Sequence, residues 1–185
     1  MSRLRLVIEP LAPQHDRAGF ACGKPALDDY LKRRAGQDVR RQIARVFVAT
    51  EPGSSVVAGY FALSGFAVAL ADMPPDLARK LPPHGDVPAA LIGRLARDLR
   101  YRGRGVGEIL LADALRRILD AGRTLGIHAV VVDAIDDEAK AFYLSCGFVA
   151  ASAQARRLFL PAATAARAAG LAPGLAPRPG RDDAG

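Results

Sequence analysis

Cysteine is scarce: the 185-residue chain holds two, Cys22 and Cys146. Two cysteines make no disulfide framework, and the expectation is a reduced, cytoplasmic protein. Histidine is almost as rare. His15, His84 and His128 are scattered with no metal-ligand spacing among them, so no metal is expected. A thiol nucleophile at Cys146 would want a histidine partner; none is evident, and Cys146 beside Gly147 reads as a small buried residue. There is no internal repeat, and no convincing helix-turn-helix or aromatic RNA-binding platform. One long uncharged run, Ser54 to Ala71, approaches the length of a membrane span. Gly59, Ser64 and Gly65 interrupt it and its pieces read as short strands, so no membrane partner is expected. Residues 3–8 alternate at period 2 as a half-buried strand does, and not as a signal peptide.

Against these absences, half of the residues are hydrophobic, enough for a real core, and the length suits one domain. A net charge of +7 favours an acidic partner such as nucleic acid or a phosphorylated coenzyme. The first strand spans 3–10. Pro25 suits the opening turn of a helix, with Leu27, Tyr30, Leu31 and Ala35 on one face. That helix continues to about Gln42 and turns basic through Lys32, Arg33, Arg34, Arg40 and Arg41, with Arg45 following. These arginines read equally as a solvated face or as a patch that tracks phosphates.

Residues 45–50 and 56–64 are strands joined by a Glu-Pro-Gly-Ser turn, and 65–69 add a further strand segment. A short helix at 76–81 carries Arg79 and Lys80. The central strand covers about 88–96. After a glycine-rich loop, Leu110, Leu111, Ala114, Leu115 and Ile118 form one helical stripe, with Asp113, Arg116, Arg117 and Asp120 opposite. The β-branched run 129–132 predicts a strand covered on both faces. Asp136 or Asp137 caps the next helix, Ala139, Phe142 and Cys146 face its core, and Gly147 ends it. Strands at 148–152 and 156–160 close the sheet. The stretch 161–185 is rich in Ala, Pro and Gly; its beginning could form a helical turn, and disorder is expected from about Pro173.

The chemistry concentrates in the loop Arg102-Gly103-Arg104-Gly105-Val106-Gly107. Glycines let backbone approach a ligand closely. Their N–H groups and the positive end of the following helix form a nest for a phosphate. No Gly-Lys-Ser/Thr follows, so the loop is not a P-loop, and its spacing also fails the G-x-G-x-x-G dinucleotide pattern.

Arg102-x-x-Gly105-x-Gly107 resembles the Q/R-x-x-G-x-G/A pyrophosphate loop of the GNAT acetyltransferases. Residues 20–31, FACGKPALDDYL, resemble the opening motif of GNAT toxins of toxin–antitoxin modules; so do the strand Ile92-Gly93-Arg94-Leu95-Ala96, Phe142-Tyr143-Leu144 with Cys146-Gly147-Phe148, and Leu158-Phe159-Leu160-Pro161. The resemblance implies an α/β (α+β) GNAT fold with a mixed central sheet and flanking helices over 1–161, followed by a largely disordered tail at 162–185. It implies acetyl-CoA as cosubstrate. Backbone N–H groups of Leu95, Ala96 and Arg97 would meet the pantetheine arm and thioester oxygen, and the loop Arg102, Gly103, Arg104, Gly105, Val106, Gly107 and Glu108 would hold the pyrophosphate.

The resemblance further implies Tyr143 as general acid toward the departing thiolate, with aminoacyl-tRNA as acetyl acceptor. Its implied partners are a ribbon-helix-helix-type antitoxin and a second copy in a homodimer. Arg33, Arg34, Arg40, Arg41, Arg45, Arg79, Lys80 and Arg94 are candidate tRNA contacts. The central strand carries no glutamate base. A lysine amine, which ordinarily titrates at about 10.4, needs such help, while an α-amine near 7.7–8.0 needs far less. Asp98 is a candidate base whose competing role is to cap a turn. The alternative reading is a GNAT N-acetyltransferase that acts on a small amine or a protein N-terminus.

Overall fold

The β-branched and aromatic runs build one seven-stranded sheet, and the computed structural model describes residues 4–152 and 154–169. The strands are β1 (Val7–Pro10), β2 (Arg45–Thr50), β3 (Val57–Ala69), β4 (Asp86–Arg97), β5 (Ala129–Asp133), β6 (Val149–Ala150) and β7 (Arg157–Pro161). Their spatial order is β1-β2-β3-β4-β5-β7-β6. Every neighbouring pair is antiparallel except β4 with β5, which run parallel, so the sheet is mixed as the sequence reading expects.

Helices cover both faces. On one lie α1 (Pro25–Asp29), a π-turn at Tyr30–Arg34, α2 (Ala35–Arg40) and α3 (Pro75–Ala78). There Leu31, Ala35, Val48 and Tyr60 form one cluster, and Val68, Met73, Val131 and Phe159 a second. On the other lie α4 (Val106–Ala121), α5 (Asp137–Ser145) and α6 (Ala162–Ala168). Their core joins Leu110, Ala114 and Ile118 to Val130 and Val132. Burial of each large aliphatic side chain there contributes about 1.5–3 kcal/mol. Residues 129–132 are at most 1% exposed, the two-sided covering that their unbroken apolar run predicts.

Several boundaries differ from the sequence reading for local reasons. Residues 56–69 are not two strand segments: β3 runs unbroken from Val57 to Ala69 because β4 pairs along nearly all of it. The long helix expected to Gln42 is interrupted and shorter. The Ala35 N–H bonds to the Tyr30 carbonyl, a five-residue step that inserts a π-turn. After Arg40 the Ile43 N–H reaches back to the Asp38 carbonyl at 2.9 Å, and Gln42 takes φ 57°, which closes the helix. The short helix begins on Pro75 and ends at Ala78, not at 81. Past Pro161, α6 packs Ala165 and Ala166 into the core beside α4, so the fold extends beyond 161. The disorder expected from Pro173 lies outside the described residues.

One glycine fixes how α4 meets the sheet. A Cβ on Gly59 would stand 2.7 Å from Leu110 Cδ1 and 3.0 Å from the Ala96 carbonyl oxygen. Its absence lets the first turns of α4 press directly on β3 and β4. Asp136, not Asp137, caps α5 by accepting from the Ala139 N–H, and Gly147 follows that helix at φ 94°. Arg117 does not simply face solvent. It lies over the Phe47 ring at 4.0 Å and donates to the Ile8 carbonyl.

Candidate active site

The site arises where β4 and β5 part. Their pairing ends at Ile92 with Val132, yet β4 continues to Arg97 with β3 as its one partner. The β3 register jumps from Arg94 to Ile92 and leaves Gly93 as a bulge, which bends the strand away from β5. Backbone groups along 93–97 that a neighbouring strand would otherwise satisfy therefore border an opening.

That opening holds a first cavity of about 530 Å³. Leu95, Ala96 and Arg97 of β4 line it, with Arg102, Gly103, Gly105, Val106, Gly107 and Glu108 from the loop and the first turn of α4. Gly105 precedes the helix at φ 73°, a left-handed conformation natural to glycine. Nothing stands within 4 Å of where a Cβ on Gly103 or Gly105 would lie. Among the described residues, the N–H groups of Gly103, Gly105, Val106, Gly107 and Glu108 find no acceptor. Five free donors around an open helix N-terminus suit a pyrophosphate, so the residues present fit acetyl-CoA. Arg104 departs from the expectation: it is absent from the lining and its guanidinium lies over the Tyr101 ring at 5.3 Å.

The opposite wall comes from 22–24 and Leu27. Asp98 ties it to β4. This carboxylate is 1% exposed and accepts from the Ala21 N–H at 3.0 Å, the Arg100 N–H at 2.9 Å and the Arg100 guanidinium at 2.7 Å. Burial alone would raise its pKa, but the Arg100 side chain and the two backbone donors outweigh that and hold it below the ordinary carboxylate range. With its oxygens engaged in this way, Asp98 caps the turn at Leu99–Tyr101. This geometry does not support a role for Asp98 as base.

Tyr143 stands between the first cavity and a second of about 700 Å³, and lines both. It is 6% exposed, with the Phe142 and Phe148 rings edge-on at 5.3 and 5.5 Å. Burial pushes its phenol well above the ordinary value, and Cys146 adds to the shift. The hydroxyl donates to no group among the described residues and yet is not sealed in the core, so it opens toward the cavities. The donor form therefore prevails at every physiological pH.

The second cavity is lined by Tyr30 and Arg34 of the π-turn, Arg94 of β4, Asp29 and Asp133. The Arg94 guanidinium lies 3.8 Å over the Tyr30 ring, and Tyr30 donates to Asp38 at 2.9 Å. Burial and that carboxylate push the Tyr30 phenol up to about 12. Of the basic residues singled out from the sequence, Arg34 and Arg94 reach this cavity. Arg33 is exposed and pairs with Asp29 at 3.8 Å; Arg40, Arg41 and Arg45 are exposed nearby. Arg79, ion-paired with Asp76, and Lys80 line neither cavity. They follow α3 at the far tip of the β3–β4 hairpin, where Ala69 pairs with Asp86.

Sequence reasoning does not assign Lys24, Leu27, Tyr30, Asp133 or Glu138 to the site. The motif containing Cys22, Gly23 and Lys24 is a signal, but its spacing gives no hint that it forms a cavity wall. Among the described residues no group of three or more His, Cys, Asp and Glu side chains could hold a metal. No helix there is long and apolar enough to cross a membrane.

Comparison with known proteins agrees with this geometry. Residues 42–150 match the family model of the acetyltransferase (GNAT) domain. The chain is 39% identical over 166 residues to a probable toxin TacT of Sinorhizobium fredii, covering 85% of this chain and 92% of that protein. It is 41% identical over 133 residues to a tRNA-acetylating toxin of Mycobacterium tuberculosis, covering 72% and 78%. Among solved structures, a tyrosine-to-phenylalanine mutant of KacT superposes with a TM-score of 0.84 at 31% identity, over 88% of this chain and 98% of that one. AtaT complexed with acetyl-methionyl-tRNAfMet gives 0.78 at 29% identity, over 90% and 98%. An AtaT mutant bound to the C-terminus of the antitoxin AtaR and acetyl-CoA gives 0.74 at 27% identity, over 88% and 97%. The chain belongs to the GNAT family of acetyl-CoA-dependent N-acetyltransferases, and within it to the toxins of the TacT, KacT and AtaT kind.

Proposed function

We propose that this protein is a toxin that moves the acetyl group of acetyl-CoA to the α-amino group of aminoacyl-tRNA and so blocks translation. The observation that carries the reading is the junction at Tyr143. One cavity offers free N–H donors to a pyrophosphate, and the other offers arginines to a polyanion. The named activities of the tRNA-acetylating relative and of AtaT support the same acceptor.

Acetyl-CoA, when bound, supplies the acetyl thioester. Of the β4 N–H groups at 95–97, that of Ala96 is turned to β3 by the antiparallel register, and those of Leu95 and Arg97 face the opening; these two polarise the carbonyl, as donors aimed at developing negative charge do. The loop 102–108 anchors the diphosphate. An α-amine that ordinarily titrates near 7.7–8.0 is about one-quarter neutral at physiological pH, against about one part in a thousand for a lysine near 10.4, which suits a β4 strand that carries no carboxylate between Asp86 and Asp98. One N–C bond forms and the C–S bond breaks. The amine releases its proton to water, Tyr143 gives its phenolic proton to the departing sulfur, and the phenolate regains a proton from water through the open cavity, so the cycle is proton-neutral. The apolar rings around Tyr143 disfavour a free thiolate and a phenolate alike, so the transfer depends on Tyr143 being held at the departing sulfur and not on its acidity.

Arg34 and Arg94 are the nearest contacts for the acceptor's phosphates, with Arg33, Arg40, Arg41 and Arg45 extending the basic surface and Arg79 and Lys80 the most remote candidates. The AtaT–AtaR complex supports neutralisation by a cognate antitoxin. A ribbon-helix-helix type for that antitoxin, a homodimeric toxin and a cytoplasmic location complete the proposal. Expression in a bacterial host should arrest growth, with N-acetylated aminoacyl-tRNA accumulating in the arrested cells. Arrest without that product would contradict the reading.

A further inference from the structure

Asp133 ends β5 one residue beyond Val132, the last residue paired with β4. It therefore stands across the splay from the Gly93 bulge, and it lines the second cavity together with Tyr143. Its cross-strand neighbour on β7 is Arg157. The guanidinium grips both carboxylate oxygens, Nε to Oδ1 at 2.7 Å and Nη2 to Oδ2 at 2.8 Å. Arg157 is itself held over the Phe66 ring, 4.8 Å from its centroid. A carboxylate on a rigid strand, clamped bidentately, is fixed before any ligand arrives. A carboxylate has about four acceptor positions. Arg157 uses two, and the side chain remains 45% exposed, so acceptor capacity is left over.

The cavity's charges also divide by sign. Arg34 and Arg94 suit the phosphates and ester oxygens of an aminoacyl-tRNA end, whose one cationic group common to every amino acid is the α-amine. Asp29, the other carboxylate of the cavity, is on α1 beside Arg33 and belongs to no strand of the splay. We infer that Asp133, clamped by Arg157, receives the α-amine of the acceptor and orients it toward the reaction site. The inference rests on the acetyl-transfer reading above. With both oxygens already bonded to Arg157, Asp133 acts as a hydrogen-bond acceptor and not as the proton's destination.

The test uses a pair of ligands that differ at the amine alone: charged total tRNA, and the same pool deaminated with nitrous acid to α-hydroxyacyl-tRNA. Both are titrated against the full chain with CoA present, at about pH 6.5, where an α-amine of pKa near 7.7–8.0 is mostly protonated. Wild type should prefer the charged pool by about tenfold, the lower end for a hydrogen bond to a charged group. In Asp133→Asn the preference should fall to about one, with acetyl-CoA affinity unchanged as the check on folding. A purely structural role would weaken both pools equally. A preference that survives in Asp133→Asn, or one absent from a wild type that still acetylates charged tRNA, overturns the inference and leaves the function intact. A wild type that acetylates no charged tRNA overturns the function itself.

Discussion

The two cavities that meet at Tyr143 are built by different means. The donor side takes its anion-binding groups from the backbone: a strand edge that lost its partner, a left-handed glycine and the open first turn of α4. The acceptor side is mostly side chains, gathered from α1, the π-turn, β4 and the end of β5. Backbone geometry depends on glycine spacing and element order, and both are local in sequence. Side-chain convergence depends on tertiary register.

The sharpest way to break this division is Tyr143→Phe, because Tyr143 belongs to both sides. Positioned acid catalysis contributes about 10²–10⁴-fold. The variant should lose kcat on that scale, with KM for acetyl-CoA and for charged tRNA little changed. A loss confined to either KM would move Tyr143 to one side of the junction.

Next in size is Asp98→Asn, which loosens the donor wall at its anchor. Loss of charge-assisted bonds from a buried carboxylate costs about 1–3 kcal/mol, read as a lower midpoint in urea. The native pKa of Asp98 is depressed, so its contribution is complete above the ordinary carboxylate value of about 3.9 and is lost as pH falls through the lower native value. The gap between wild type and variant should be constant near neutrality and narrow in acid. A gap that widens as pH falls would contradict the assignment.

Two smaller effects separate the sides. Gly105→Ala imposes about 1–2 kcal/mol of left-handed strain and should raise KM for acetyl-CoA several-fold without changing that for charged tRNA. Arg94→Ala should do the reverse and reduce the salt slope of tRNA binding by about 1. Last comes charge reversal at Arg79 and Lys80, which line neither cavity; it should change tRNA affinity less than Arg94→Ala does. An equal or larger change would extend the acceptor surface to the far hairpin tip.

The donor side is legible in the sequence because strand, glycine loop and amphipathic helix are adjacent there. The stripe through Leu110, Ala114 and Ile118, the two-faced burial of 129–132 and the Asp136 cap follow from the same local rules. The acceptor side is not legible in that way. Asp133 looks like any strand-ending aspartate until β7 brings Arg157 against it. Arg34 and Arg94 are 60 positions apart in sequence, and they line one cavity where the π-turn meets β4, with the Arg94 guanidinium over the Tyr30 ring. Arg104 departs from expectation for a related reason. Its neighbours suggest a phosphate contact, but the buried Tyr101 ring, anchored to Glu51 at 2.6 Å, offers a competing surface.

The most direct test is to incubate the purified protein with charged total tRNA and labelled acetyl-CoA, digest the RNA, and identify where the label resides. Wild type should form N-acetyl-aminoacyl-adenosine from the tRNA 3′ end, and Tyr143→Phe should not. Label on free amines or protein N-termini, with none on aminoacyl-adenosine, would contradict the proposed function.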